Sequence, residues 1–274
     1  MQISRRRFLV GAGALGAALG ADAFGLEANR VLLSRHNVPV PGLPQSIAGI
    51  RVAQVADVHL PGNRLAARAA LQHLHRERPE IVVLNGDMIE TARALGMMRE
   101  FVAAARGSLA TVAVLGNWEY LSRVVGDRAR EAYRSVGIDL LINQKKLVTI
   151  GGTTLALSGL DDMLNGQPDL PTARVGLTGD AVEIWVVHEP SYADQLPAGL
   201  SGKAAVLLAG HTHGGQIRIP LLPPFKPVGA GRFLEGWYRD TAVPLYVSRG
   251  VGTTTIPARF RCAAELPIFT LTRA

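Results

Sequence analysis

Apolar runs of strand length recur along the chain, and most of them end in a polar residue able to hold a metal. The run at residues 50–60, IRVAQVADVHL, closes on Asp57 and His59. Helical spacing of apolar positions follows over residues 64–77, then a second run at 80–88, EIVVLNGDM, which closes on Asp87. A helix near residues 91–105, a third run ATVAVLGNWEY at 110–120 and a helix near 122–135 complete the first half. Strand and helix therefore alternate, which predicts βαβ units and a largely parallel sheet. The second half is richer in strands, with KKLVTI, TTLALSGLDD, VEIWVVHEP, AAVLLAGHTHGGQIRI and PLYVSRGVG set apart by Gly, Pro and Asp. Unbroken apolar runs fit strands buried on both faces. Folds of this class collect ligand-binding residues in the loops at the carboxyl ends of such strands. Asp57, His59, Asp87, Asn117, Glu119, His188, His211 and His213 all fall at those ends.

Composition adds bounds. The chain has 274 residues, 48% of them hydrophobic and 5% aromatic, enough for one domain with an aliphatic sheet core between helices. Its formal charge of +7 favours an anionic substrate or a membrane surface. Nucleic acid is not expected, because no dense Lys/Arg run with interleaved aromatics occurs. Near the N-terminus, SRRRFLVGAGALGAALGADAFG places Arg5 and Arg6 before a weakly apolar run and ends in the small-x-small pattern Ala21-Asp22-Ala23. This resembles a twin-arginine export signal, and the run is too short and glycine-rich for a good spanning helix. The expected organisation is a signal at 1–23, a linker at 24–45 and one domain at 46–274. The signal implies the twin-arginine export machinery as a partner. It also implies a periplasmic location or membrane association on the outer side of the cytoplasmic membrane. A single cysteine, Cys262, excludes an intramolecular disulfide.

Carboxylates, imidazoles and an amide carbonyl form an intermediate donor set suited to Mn, Fe or Zn. Asp57, His59, Asp87, Asn117, His188, His211 and His213 are too many for one tetrahedral zinc. They suit two ions sharing a carboxylate, about 3.5 to 4 Å apart in sites of this kind. His211 and His213 would then each serve a different ion.

The series DVH, NGD, GNWE, VVHEP and GHTHGG, in this order across residues 50–250, resembles the calcineurin-like metallophosphoesterase superfamily. The tail YVSRGVGTTTIPARFRCAAELPIFTL, with GHTHGGQIRIP, is similar to small bacterial phosphoesterases related to UDP-2,3-diacylglucosamine pyrophosphatases. The resemblance implies an α/β fold, a two-sheet β-sandwich flanked by helices in four layers, αββα. It implies that Asp57, His59 and His213 bind one ion, that Asn117, His188 and His211 bind the other, and that Asp87 bridges. It further implies hydrolysis of a phosphodiester or pyrophosphate by water or hydroxide between two divalent ions, with a phosphorylated small molecule or lipid-linked substrate. One position departs from the pattern: the usual histidine of the third motif is Trp118, and indole cannot act as an acid near neutrality. Leaving groups of low pKa are then favoured, with Glu119 as the alternative proton source and Trp118 either packing over the site or stacking on substrate. The competing reading is a metal- and phosphate-binding protein of low turnover. Among other polar residues, His36, His73 and His75 read as solvated surface. Asp161 and Asp162 read as a turn or a ligand-orienting pair, and Arg249 as a candidate phosphate contact.

Overall fold

The apolar runs pair edge to edge into two sheets. A computed structural model describes residues 5–274 apart from 178, 180 and 201. Among the described residues the strands are β1 (Val31–Val40), β2 (Arg51–Val55), β3 (Ile81–Asn85), β4 (Ala110–Val114), β5 (Asp139–Leu140), β6 (Gln144–Ile150), β7 (Thr153–Gly159), β8 (Val182–Val186), β9 (Val206–Ala209), β10 (Gly236–Tyr238), β11 (Leu245–Val247) and β12 (Ala264–Arg273). The helices are α1 (Arg5–Ala21), α2 (Arg64–Glu77), α3 (Leu95–Ala104), α4 (Asn117–Leu121), α5 (Gly126–Arg134) and α6 (Leu170–Arg174). One six-stranded sheet has the order β1-β12-β2-β3-β4-β5 and the other β10-β11-β9-β8-β7-β6.

The strands at the centre of each sheet are parallel: β2, β3 and β4 in the first, β7, β8 and β9 in the second. Alternation along them explains their uniform apolarity. Val82 and Leu84 of β3 pack on α2, α3 and α5, while Ile81 and Val83 of the same strand pack between the sheets. A further core under Trp185, Phe233 and Leu245 lies on the outer face of the second sheet, closed by α6 and the 3-10 turn Pro190–Gln195. The layers are therefore helix, sheet, sheet, helix, as the resemblance implies.

The expected linker at 24–45 is corrected. Within it Val31–Val40 form β1, which runs parallel to β12 over ten residue pairs and buries Val38 and Val40 between the sheets. Without β1 the outer edge of β12 would be open to pairing with another chain. Pro39 and Pro41 made this stretch read as linker, but an edge strand tolerates proline. His36 is corrected with it. Instead of standing in solvent, its ring stacks on Phe269 at 5.5 Å and packs against Tyr246 at 4.7 Å, with Trp237 Nε1 donating to its Nδ1 at 3.3 Å. His73 contacts the Val31 carbonyl and His75 is exposed.

Of the expected signal, residues 1–4 lie outside the described residues. The helix α1 continues into a π-helical turn over Asp22–Leu26, and no helix among the described residues is long and apolar enough to cross a membrane. The segment after α1 is pinned to the domain. Arg259 N donates to Ala23 O at 2.9 Å, the Glu27 carboxylate accepts Arg261 N at 2.7 Å and Cys262 N, and Asn63 Nδ2 donates to Ala28 O.

Phe269 is almost fully buried, and its ring joins β1, β11 and β12. Phe269→Ala should cost about 3 to 5 kcal/mol, read as a lower denaturant midpoint at unchanged slope.

Candidate metal centre

Loops from the carboxyl ends of five strands meet at the seam between the sheets. Asp57 and His59 follow β2, Asp87 follows β3, Asn117 opens α4 after β4, His188 follows β8, and His211 and His213 follow β9. The backbone bends sharply there. Asp57, His59, Asp87, His211 and His213 all have positive φ, between 50° and 72°, which side chains other than glycine rarely adopt. Glycine appears where backbone must pass a ligand: a Cβ on Gly86 would sit 2.4 Å from His188 Nδ1.

The donors fall into two groups, Asp57 with His59 and His213, and Asp87 with His188 and His211, within each of which the candidate ligand atoms lie within 4.8 Å of one another. Asp87 reaches both: its Oδ2 is 3.1 Å from His188 Nε2 and 3.6 Å from His59 Nε2. Asn117 joins the second group, with Oδ1 3.0 Å from His211 Nδ1. All seven side chains predicted as ligands are thus brought together.

Their orientations suit metal ligation. His188 Nδ1 faces the Asn85 carbonyl at 2.9 Å and His211 Nε2 faces the Val228 carbonyl at 2.6 Å, which turns the other ring nitrogen of each toward the centre. His188 Nε2 is buried and meets no well-aligned hydrogen-bond partner. His59 Nε2 and His213 Nε2 point at each other across 2.9 Å, both beside carboxylate oxygens. Electrostatics agree. Burial, with His188 nearby, drives His211 down to about 4, and burial with His59 and Arg259 nearby drives His213 well below its ordinary value. Burial alone would lower His188 too, but the surrounding carboxylates of Asp87, Glu189 and Asp57 together hold it well above its ordinary value. The anionic side of the cluster calls for positive charge, which divalent ions supply. The residues fit two such ions.

Glu119 has another task. Its Oε2 accepts Gly116 N and Asp87 N, each at 2.9 Å, and its Oε1 accepts Met88 N at 2.7 Å. Fully buried and committed to three backbone donors, it shapes the two loops that carry Asp87 and Asn117. Those bonds hold it to the backbone, and it is not among the side chains lining the cavity, where an alternative proton source would stand. Burial, with the Asp87 charge second, raises its pKa. Trp118 lies at the cavity wall. Its indole meets His59 edge-on at 5.6 Å, and its backbone N–H donates to Asp87 Oδ1 at 2.8 Å. Asp161 accepts Tyr120 OH and the Gln167 N–H, and Asp162 accepts the Asn165 N–H, so this pair builds a turn. Arg249 is engaged by Glu265 at 3.2 Å and faces Glu235 at 3.7 Å, away from a phosphate role.

The profile of the calcineurin-like phosphoesterases matches residues 50–215, which hold every ligand candidate. The chain belongs to this family. It is 26% identical to the uncharacterised metallophosphoesterase YkuE of Bacillus subtilis, over 98% of both chains. It is 27% identical to the phosphodiesterase YaeI of Escherichia coli, over 98% of this chain and 99% of that one. A transmembrane protein with metallophosphoesterase domain from Danio rerio is 27% identical over 86% of this chain and 56% of its own length.

Three residues that brace the candidate centre are not evident from the sequence alone. Gln54 and Asn85, on adjacent strands of the first sheet, donate to the carbonyls of Ala209 and Leu208 in the second, at 2.8 and 3.1 Å. A lone amide in an otherwise apolar strand was the available signal. Arg259 is fully buried and donates to the carbonyls of Gly252, Arg249 and Cys262, holding the loops beside His213. Nothing local distinguished it from surface arginines. Glu119→Ala should leave three buried N–H groups without acceptors, at about 1 to 3 kcal/mol each. The expected result is a lower melting temperature together with reduced metal retention. Full metal retention would show that the loops hold their shape without it.

Proposed function

We propose that the protein hydrolyses a phosphodiester or pyrophosphate bond with the aid of two divalent ions of the Mn, Fe or Zn type. One observation carries the reading: a single carboxylate oxygen, Asp87 Oδ2, stands within 3.6 Å of a histidine from each donor group. A cavity of about 410 Å³ opens directly over Asp87, Asn117, His211 and His213. Asp57, His59 and His213 would hold one ion, Asn117, His188 and His211 the other, and Asp87 both. Bound divalent ions supply Lewis acidity, acidifying water and offsetting charge on phosphoryl oxygens. The protein's own part is orientation. The Trp118 N–H holds Asp87 Oδ1 and so aims Oδ2 inward, while the carbonyls behind His188 and His211 set their tautomers.

No protein acid faces the cavity at position 118, so departure of the leaving group depends on its own stability as an anion. Aryl esters and nucleoside phosphates leaving from a pyrophosphate satisfy this, and the resemblance of the tail to UDP-diacylglucosamine pyrophosphatases points the same way. With metal content matched by elemental analysis at up to two ions per chain, wild type should lose rate steeply as leaving-group pKa rises. Trp118→His should recover about 10²-fold or more on poor leaving groups. A flat dependence in wild type would mean that another group delivers the proton. Metal binding without turnover of any activated diester would favour the binding-protein reading, which Trp118 motivates.

Export through the twin-arginine route is the second part of the proposal, supported by Arg5 and Arg6 before the weakly apolar run. Replacing both with lysine should leave folded, metal-loaded precursor in the cytoplasm, seen by cell fractionation. Unchanged export would refute it.

A further inference from the structure

Around the mouth of the cavity the chain exposes the kind of side chain that it buries elsewhere. Phe225 and Ile256 line the cavity beside Trp118 and are themselves 72% and 46% exposed. Beyond them Ile219, Leu221, Leu222 and Val228 stand in solvent. Six exposed large apolar residues on two short segments are a concentration that soluble proteins seldom carry without a use. The longer segment, residues 217–229, reads IRIPLLPPFKPVG, and its four prolines restrict how it could fold back to cover itself. Gln216 ties the two segments together: its Nε2 donates to the carbonyls of Thr254 and Ile256 at 3.1 and 2.8 Å, and its Oε1 accepts Thr254 N at 2.9 Å. The rim is held as one surface.

Charge and position narrow what could cover it. Residues 216–229 and 253–262 contain no Asp or Glu; Arg218 is paired with Glu235 at 2.7 Å, and Lys226 and Arg261 are the exposed basic residues. A second copy of the rim would set like charges against each other, whereas anionic headgroups complement them. The segment after α1 leaves from the same side. Its Ala23 and Glu27 are bonded to residues 259–262, Cys262 Sγ contacts the His213 carbonyl at 3.3 Å, and Phe24 and Leu26 on this segment are exposed too. Exposed apolar side chains with basic neighbours are the make-up of a surface that settles into the headgroup layer of a bilayer.

We propose that this rim docks on an anionic bilayer, so that the metal centre receives the phosphate group of an amphiphile while its apolar part remains in the membrane. The substrate half of this statement rests on the phosphoesterase reading; the docking half does not. The apolar wall formed by Trp118, Ile217, Phe225 and Ile256 gives the substrate a continuous path from the rim to Asp87.

The test uses the full chain and the double variant Leu221→Asp/Leu222→Asp, whose two positions do not line the cavity. Both proteins are sedimented with vesicles of phosphatidylglycerol and phosphatidylcholine in equal parts, and with phosphatidylcholine alone. Wild type should bind the anionic vesicles more strongly, with salt weakening the binding, and the double variant should bind them about tenfold less. Hydrolysis of soluble bis(4-nitrophenyl) phosphate should be the same for both. Wild type that ignores the vesicles, or a variant that binds as wild type does, overturns the proposal; the second result would hand the binding to α1, which the variant retains. Failure of both metal-loaded proteins to cleave the soluble diester would count against the phosphoesterase reading, and the vesicle result would still decide the docking.

Discussion

A carboxylate withdrawn from water must be met by donors from the protein, and Asp57 is met from across the seam between the two sheets. It leaves the end of β2 in the first sheet, and its oxygens accept the backbone N–H of His211, beyond β9 in the second, at 2.9 and 3.2 Å. The same seam is crossed by the Gln54 and Asn85 amides and by the His188 ring against the Asn85 carbonyl. These contacts are buried, so each would be costly to leave unmade. Both donor groups depend on them, because Asp87, Asn117, Asp57 and His59 come from one sheet and His188, His211 and His213 from the other. The centre exists only when the sheets are docked, and whatever binds there stabilises that docking.

The seam also explains where strain collects. Five of the candidate ligands sit in the left-handed region, a cost of order 1 to 3 kcal/mol each for sparsely populated backbone. That cost persists because the surroundings over-determine it. Glu119 grips the Asp87 and Gly116 amides together, Arg259 gathers the carbonyls around His213, and a Cβ on Gly116 would lie 2.4 Å from Asp87 Oδ1. Residues outside the two donor groups therefore determine the geometry of those within them.

Above this polar floor the mouth is apolar, and Trp118 belongs to both. Its backbone positions Asp87, while its indole packs on His59 and starts the wall that runs out to Phe225 and Ile256. A histidine there would add an acid; tryptophan instead extends the greasy wall down to the ligands. On the proposed reading, chemistry at this centre would rely on the ions and the leaving group, and selection on the wall.

The candidate ligand set was legible in the sequence because each member is a local event, a polar residue terminating an apolar run where a buried strand must emerge. Asp57, Asp87, Asn117, His188 and His211 could be read this way one strand at a time, and their order carried the family. What tertiary structure alone decided were pairings between distant stretches. Residues 31–40 look like linker until β12, at the other end of the chain, offers an edge, and His36 is surface until that pairing packs it against Phe269. Glu119 looks like a spare acid beside the site until the fold delivers three amide donors to it, two of them from the loop after β3. Periodicity and turn residues record what a segment does with its own neighbours. They carry no record of which remote backbone groups will arrive at a buried carboxylate or an open strand edge, and in this protein those arrivals assign the roles.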